Sequence, residues 1–107
     1  MFVSIHCNAY NEKVQGTEVW YYKGSNTGKE LARSVCKQII NRCGTIERGV
    51  KETDSLYVCR KTTMPAVLIE TAFIDNDQDF QILYEHPELF AIAISDGIVQ
   101  YIKNKED

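Results

Sequence analysis

The chain has 107 residues, enough for one domain with a single core and too few for two. Hydrophobic residues make up 44% and charged residues 25%, the mix of an ordinary globular protein. The net charge of -3 argues against the basic face of a nucleic-acid binder and against attraction to an anionic membrane, and no apolar run nears the roughly 20 residues that span a bilayer.

Phe2-Val3-Ser4-Ile5-His6 reads as a short strand that begins almost at once, followed by a polar, turn-rich loop from Asn8 to Gly16. Thr17-Glu18-Val19-Trp20-Tyr21-Tyr22 is β-branched and aromatic, hence a second strand, ended by Lys23-Gly24-Ser25-Asn26. Its aromatics could stack on sugars, but one core face and one surface face is the expectation. From about Thr27 to Arg42 the period becomes helical: Leu31, Ala32, Val35, Cys36, Ile39, Ile40 and Cys43 form one stripe, and Gly44 is a natural cap. Thr45 to Asp54 reads as a charged connection, and Leu56-Tyr57-Val58-Cys59-Arg60 as a strand. After a turn at Lys61-Thr62-Thr63-Met64, Pro65 opens a strand from Ala66 to Glu70 whose apolar character suggests burial on both faces. Asn76 caps a short helix through about Tyr84, with Asp79 in its first turn, and Pro87 opens a last helix to about Asn104.

This order predicts an α/β fold, a mostly parallel sheet flanked by helices. The sheet reads as incomplete at its N-terminal side, because a core strand starts at the second residue with nothing before it. No basic segment followed by an apolar stretch opens the chain, so no signal peptide is expected in it. Of the four cysteines, Cys7, Cys36, Cys43 and Cys59, none forms a C-x-x-C pair. Cys36 and Cys43 lie seven residues apart on one helix, roughly 10 Å of rise and too far for a disulfide. All four read as free thiols.

Two strands deliver a functional side chain directly after an apolar run, His6 and Glu70. In open α/β sheets, ligands sit outside the carboxyl ends of strands, so parallel strands would set both groups on one rim. A partly desolvated carboxylate there suits acid–base work, and a neutral imidazole can ligate zinc. Taken singly, Glu70 reads equally as a solvated carboxylate capping a helix, and His6 as a satisfied structural histidine.

The surrounding words carry a resemblance. Ser4-Ile5-His6-Cys7-Asn8-Ala9 resembles the S-I-H-x-N-A segment of the zinc-dependent N-acetylmuramoyl-L-alanine amidases of the Amidase_3 type. Gly16-Thr17-Glu18-Val19-Trp20-Tyr21-Tyr22 is similar to their G-x-E-v-y-y strand, and Leu31-Ala32 fits their helix. Arg48-Gly49-Val50-Lys51 is similar to R-G-v-k, and Leu56 to Arg60 to l-x-V-L-R. The segment from Met64 to Asn76 is close to M-P-A-v-L-v-E-t-G-F-i-s-N, with Ala72 where glycine is commoner. The match runs in order from residue 2 to the C-terminus.

The resemblance implies that residues 1–107 form the C-terminal part of a single amidase catalytic domain. It implies a peptidoglycan hydrolase, extracellular or in the cell wall, that cuts between N-acetylmuramic acid and L-alanine of the stem peptide. Zinc (Zn2+) would be its cofactor, with His6 a metal ligand and Glu70 the catalytic carboxylate. Zinc lowers the pKa of its water toward ~7 and polarises the carbonyl. Asn8, two residues along the strand from His6, either orients the ligand or substrate or merely closes the turn. The family's other two ligands lie upstream of S-I-H-x-N-A. His86 reads as a helix-terminal residue, nothing places Glu12 or Glu18 beside His6, and Cys7 points to the opposite face. The piece alone is therefore expected to bind zinc weakly and to show little or no activity. The alternative is a non-catalytic cell-wall- or partner-binding module on the same scaffold. A Cys7 nucleophile is a third reading. An exposed sheet edge predicts self-association.

Overall fold

The structure, a computed structural model, describes residues 1–54 and 64–106. Four strands and three helices follow one another as β1 (Phe2–Asn8), β2 (Thr17–Tyr22), α1 (Asn26–Cys43), β3 (Glu47–Thr53), β4 (Ala66–Phe73), α2 (Asp77–Glu85) and α3 (Pro87–Glu106). The strand expected at Leu56–Arg60 and the turn after it fall outside the described residues, Met64 excepted.

The sheet order is β1-β4-β2-β3. β1 runs parallel to β4 and β2 parallel to β3, while β4 and β2 meet antiparallel at the centre. The fold is thus α/β, with two parallel pairs joined by one antiparallel seam. β3 is a correction to the sequence reading, which left residues 45–54 as a connection. Its residues are mostly charged and half-buried because β3 lies at an edge of the described sheet, where alternation is weak.

Local chemistry sets the helix ends. The Ser25 hydroxyl accepts from the Gly28 backbone N–H at 3.0 Å to open α1, and Gly44, at φ 72°, closes it. Asn76 caps α2 through the backbone N–H groups of Gln78 and Asp79. Leu31, Ala32, Val35, Cys36 and Ile39 of α1 pack with Val19 and Tyr21 of β2 and with Val67 and Ile69 of β4 in the core. α3 lies against α1 so closely that Gly97 leaves no room for a side chain, and the Ser34 hydroxyl donates to the Gly97 carbonyl at 2.6 Å.

With Val19, Tyr21, Val67 and Ile69 turned to the helices, alternation turns Glu18, Trp20, Leu68 and Glu70 to the other face. Leu68 and Trp20 are only half-buried there, so β4 is not closed in on both faces as its apolar run suggests.

Candidate active site

His6 and Glu70 are direct register partners on the parallel strands β1 and β4. Glu70 is in turn the register partner of Glu18 across the antiparallel seam, and Glu18 of Gly49 on β3. At a strand spacing of about 4.8 Å, this row sets an imidazole and two carboxyl groups side by side across some 10 Å of one sheet face.

Glu70 is desolvated on one side. Its Oε2 is buried without a hydrogen-bond partner among the described residues. Burial pushes its carboxyl above the ordinary carboxylate range; His6 opposes the rise, and Glu18 adds to it. A rise in this direction brings a carboxyl group closer to the range in which it can both take and return a proton. His6 is exposed, and its Nε2 lies 2.6 Å from the Ser4 hydroxyl two residues earlier on the same strand face.

Glu18 is 3% exposed, and both of its carboxyl oxygens have cationic partners. Its Oε1 accepts from Arg48 Nε at 2.8 Å, and its Oε2 lies 3.4 Å from Lys51 Nζ. The register slips by one residue between Thr17 and Glu18, so that Arg48 is skipped and Gly49 takes φ 87°. This bulge turns the guanidinium onto Glu18 and over the Phe73 ring, 5.3 Å from its centre. The sequence reading sets Glu18 aside as a ligand and places Arg48 and Lys51 only in a family-like segment, without pairing the three. The available signal was a carboxylate inside an aromatic strand, which needs a cationic partner when buried.

The remaining candidates fall as follows. Asn8 ends β1 and is partnered with Phe73 after a second register shift, while its Oδ1 accepts from the Ala9 backbone N–H at 2.9 Å, closing the turn. Cys7 lies 3.7 Å from the Thr71 hydroxyl, on the side of β4 away from Glu70. His86 is exposed between α2 and α3, where it pairs with Glu88. Glu12 lies in the loop after β1, whose backbone N–H groups at Tyr10 and Glu12 donate to Asp75. Buried Asp79 accepts from Gly16 and Phe73, tying that loop to the end of β4.

Among the described residues no group of three or more His, Cys, Asp or Glu side chains is placed to hold a metal ion. A catalytic zinc normally takes three protein ligands. His6 can supply one; Glu18 is already committed to two cations. The described residues therefore do not by themselves fit a complete zinc centre.

The sequence pattern of the Amidase_3 family, N-acetylmuramoyl-L-alanine amidase, matches residues 1–100. The chain belongs to this family. It is 40% identical to an uncharacterised cell wall amidase of Bacillus anthracis, over 98% of this chain and 22% of that protein. It is 38% identical to the N-acetylmuramoyl-L-alanine amidase LytC of Bacillus subtilis, over 96% of this chain and 22% of LytC. Its fold superposes on the CwlD amidase of Clostridioides difficile, solved in complex with the GerS lipoprotein, with a TM-score of 0.88 and 33% identity. That superposition covers 95% of this chain and 54% of CwlD. The chain thus spans about half of that solved amidase and about a fifth of the two curated relatives.

Proposed function

We propose that these residues are the C-terminal part of a catalytic domain that hydrolyses the amide between N-acetylmuramic acid and L-alanine in peptidoglycan, at the cell wall. The observation that carries this reading is the desolvated Glu70 carboxyl set directly opposite the His6 imidazole on one sheet face. In its ionised form Glu70 takes a proton from the attacking water as the water oxygen bonds to the carbonyl carbon. It then passes that proton to the departing L-alanine nitrogen as the C–N bond breaks, and ends ionised again. His6 is the one residue of this chain that we assign as a ligand of a catalytic zinc. Bound there, zinc would supply acidification of the water and polarisation of the carbonyl. The remaining ligands we place outside the described residues. Asn8, at the end of the same strand, is proposed to orient substrate beside this pair. Family membership, and relatives named as cell wall amidases, support the substrate class.

A graft tests the reading. Residues 1–100 replace the matching segment of the LytC catalytic domain, and new L-alanine amino termini released from peptidoglycan are counted. The chimera is expected to release them, and Glu70→Gln and His6→Ala to abolish release. A folded chimera without activity, or one indifferent to both substitutions, refutes it.

The absence of a three-ligand cluster among the described residues favours a second reading, a non-catalytic wall- or partner-binding module. Zinc content discriminates the two. The catalytic reading expects weak zinc uptake by the chain, lost in His6→Ala. Uptake that does not depend on His6, or none at millimolar zinc, favours the module.

A further inference from the structure

Beside the His6–Glu70 pair, a cleft of about 270 Å³ opens between Asn8, Tyr10, Val14, Glu18, Arg48 and Phe73. We propose that this cleft, through the Arg48 guanidinium, binds a carboxylate carried by the peptide substrate one or two residues beyond the amide that is cut. The inference rests on the hydrolytic reading for the identity of the ligand, but not for the existence of the site.

Arg48 carries five N–H donors in a planar fork. One of them, Nε–H, is spent on Glu18, and among the described residues the Nη groups have no carboxylate partner. The guanidinium is fixed rather than free. The bulge at Arg48–Gly49 aims it, Glu18 holds its inner edge, and the Phe73 ring lies 5.3 Å beneath it. Its side chain keeps 34% of its surface open, so the outer edge remains reachable. A preformed, half-exposed guanidinium on an aromatic face is the arrangement that takes a carboxylate by two parallel hydrogen bonds.

Lys51 shares the holding of Glu18, since its Nζ lies 3.4 Å from the second carboxyl oxygen, so Glu18 is not left to draw on Arg48 alone. The cleft wall mixes the polar side chains of Asn8 and Glu18 with Ala9, Val14, Tyr10 and Phe73, the last four available to a peptide's aliphatic parts. Distance fits as well. Glu18 lies one strand from Glu70, and the guanidinium reaches back over it, so the positive edge lies within about 5–10 Å of the proposed cleavage point. One or two extended residues, at about 3.5 Å each, cover the nearer part of that span, and the side chain that carries the carboxylate reaches the rest.

The test changes the ligand before it changes the protein. The full 15N-labelled chain is titrated with N-acetyl-L-alanyl-glutamate α-amide and with its glutamine counterpart, which differ by one carboxylate. The acid is expected to shift the Arg48 Nε–H, Phe73 and Asn8 signals and to bind at least about ten times more tightly than the amide. Arg48→Lys, which keeps the charge but loses the fork, should bring the acid down toward the amide. Equal binding of both probes, no binding of either at millimolar concentration, or acid preference that survives Arg48→Lys would each overturn the proposal. The two readings fail separately. An active chimera with no probe selectivity removes only the cleft, and an inactive chimera with selective probe binding removes only the hydrolysis.

Discussion

Gly97→Ala tests whether α1 and α3 truly meet backbone to backbone behind the sheet. A Cβ built at Gly97 would stand 2.6 Å from Val35 Cα, 3.0 Å from Val35 N and 3.1 Å from Ser34 O. Ordinary carbon contacts lie at about 3.5–4.0 Å, so the helices must part by roughly 1 Å. All three neighbours are backbone atoms, and no side chain can rotate away. Overpacking of this kind costs about 1–3 kcal/mol. Parting the helices also stretches the Ser34 hydroxyl bond to the Gly97 carbonyl, 2.6 Å long, at about 1 kcal/mol. Against these stands the helix preference of alanine over glycine, about 1 kcal/mol. The net loss is about 1–3 kcal/mol, a fall in Tm of roughly 4–24 °C for a domain of this size. Thermal melting followed by circular dichroism, with urea unfolding as a check, measures it. A variant as stable as the parent, or more stable by the full propensity gain, refutes the close crossing.

Three further outcomes are expected. Because burial raises the Glu70 carboxyl in the folded chain, the stability it contributes is complete below the ordinary carboxylate range and is lost as pH rises through the folded value. Urea unfolding at a series of pH values should show that loss in the parent and its absence in Glu70→Gln; parallel curves would be inconsistent with the buried carboxyl. The Cys36 and Cys43 thiols, pushed up to about 11 by burial, should resist alkylation at neutral pH while exposed Cys7 reacts, as read by peptide mass mapping; early labelling of Cys36 contradicts the packing. β1 forms an edge of the described sheet with Ile5 57% exposed, sharing an apolar hollow with Ile98 and Val99 of α3, so the chain should self-associate; light scattering that reports a monomer at high concentration contradicts this.

Much of this was legible in the sequence, for identifiable reasons. α1 shows itself through a full stripe from Leu31 to Ile39 bracketed by Ser25 and Gly44, and α2 through the Asn76 cap. The common rim of His6 and Glu70 follows from two apolar runs of similar length ending in polar groups, once β1 and β4 pair in parallel. β3 was hidden because Glu47, Arg48, Lys51 and Glu52 carry no apolar period, and its pairing depends on a partner remote in sequence. The antiparallel seam between β4 and β2 was hidden too, since strand direction is decided by how the chain returns and not by local composition. For the same reason the sequence could not place Glu18. Its place beside Glu70 is a matter of register, and its partners Arg48 and Lys51 stand on the strand that composition concealed.

The influence of the imidazole on the carboxyl can be measured at the carboxyl itself. In the full chain, the Glu70 side-chain carbonyl carbon is followed by 13C NMR across pH, in the parent and in His6→Gln. Since His6 holds the Glu70 carboxyl down against burial, removing the imidazole should move the Glu70 midpoint upward. An unchanged midpoint would mean that the two groups do not sense each other, and that no proton-carrying pair exists on this face.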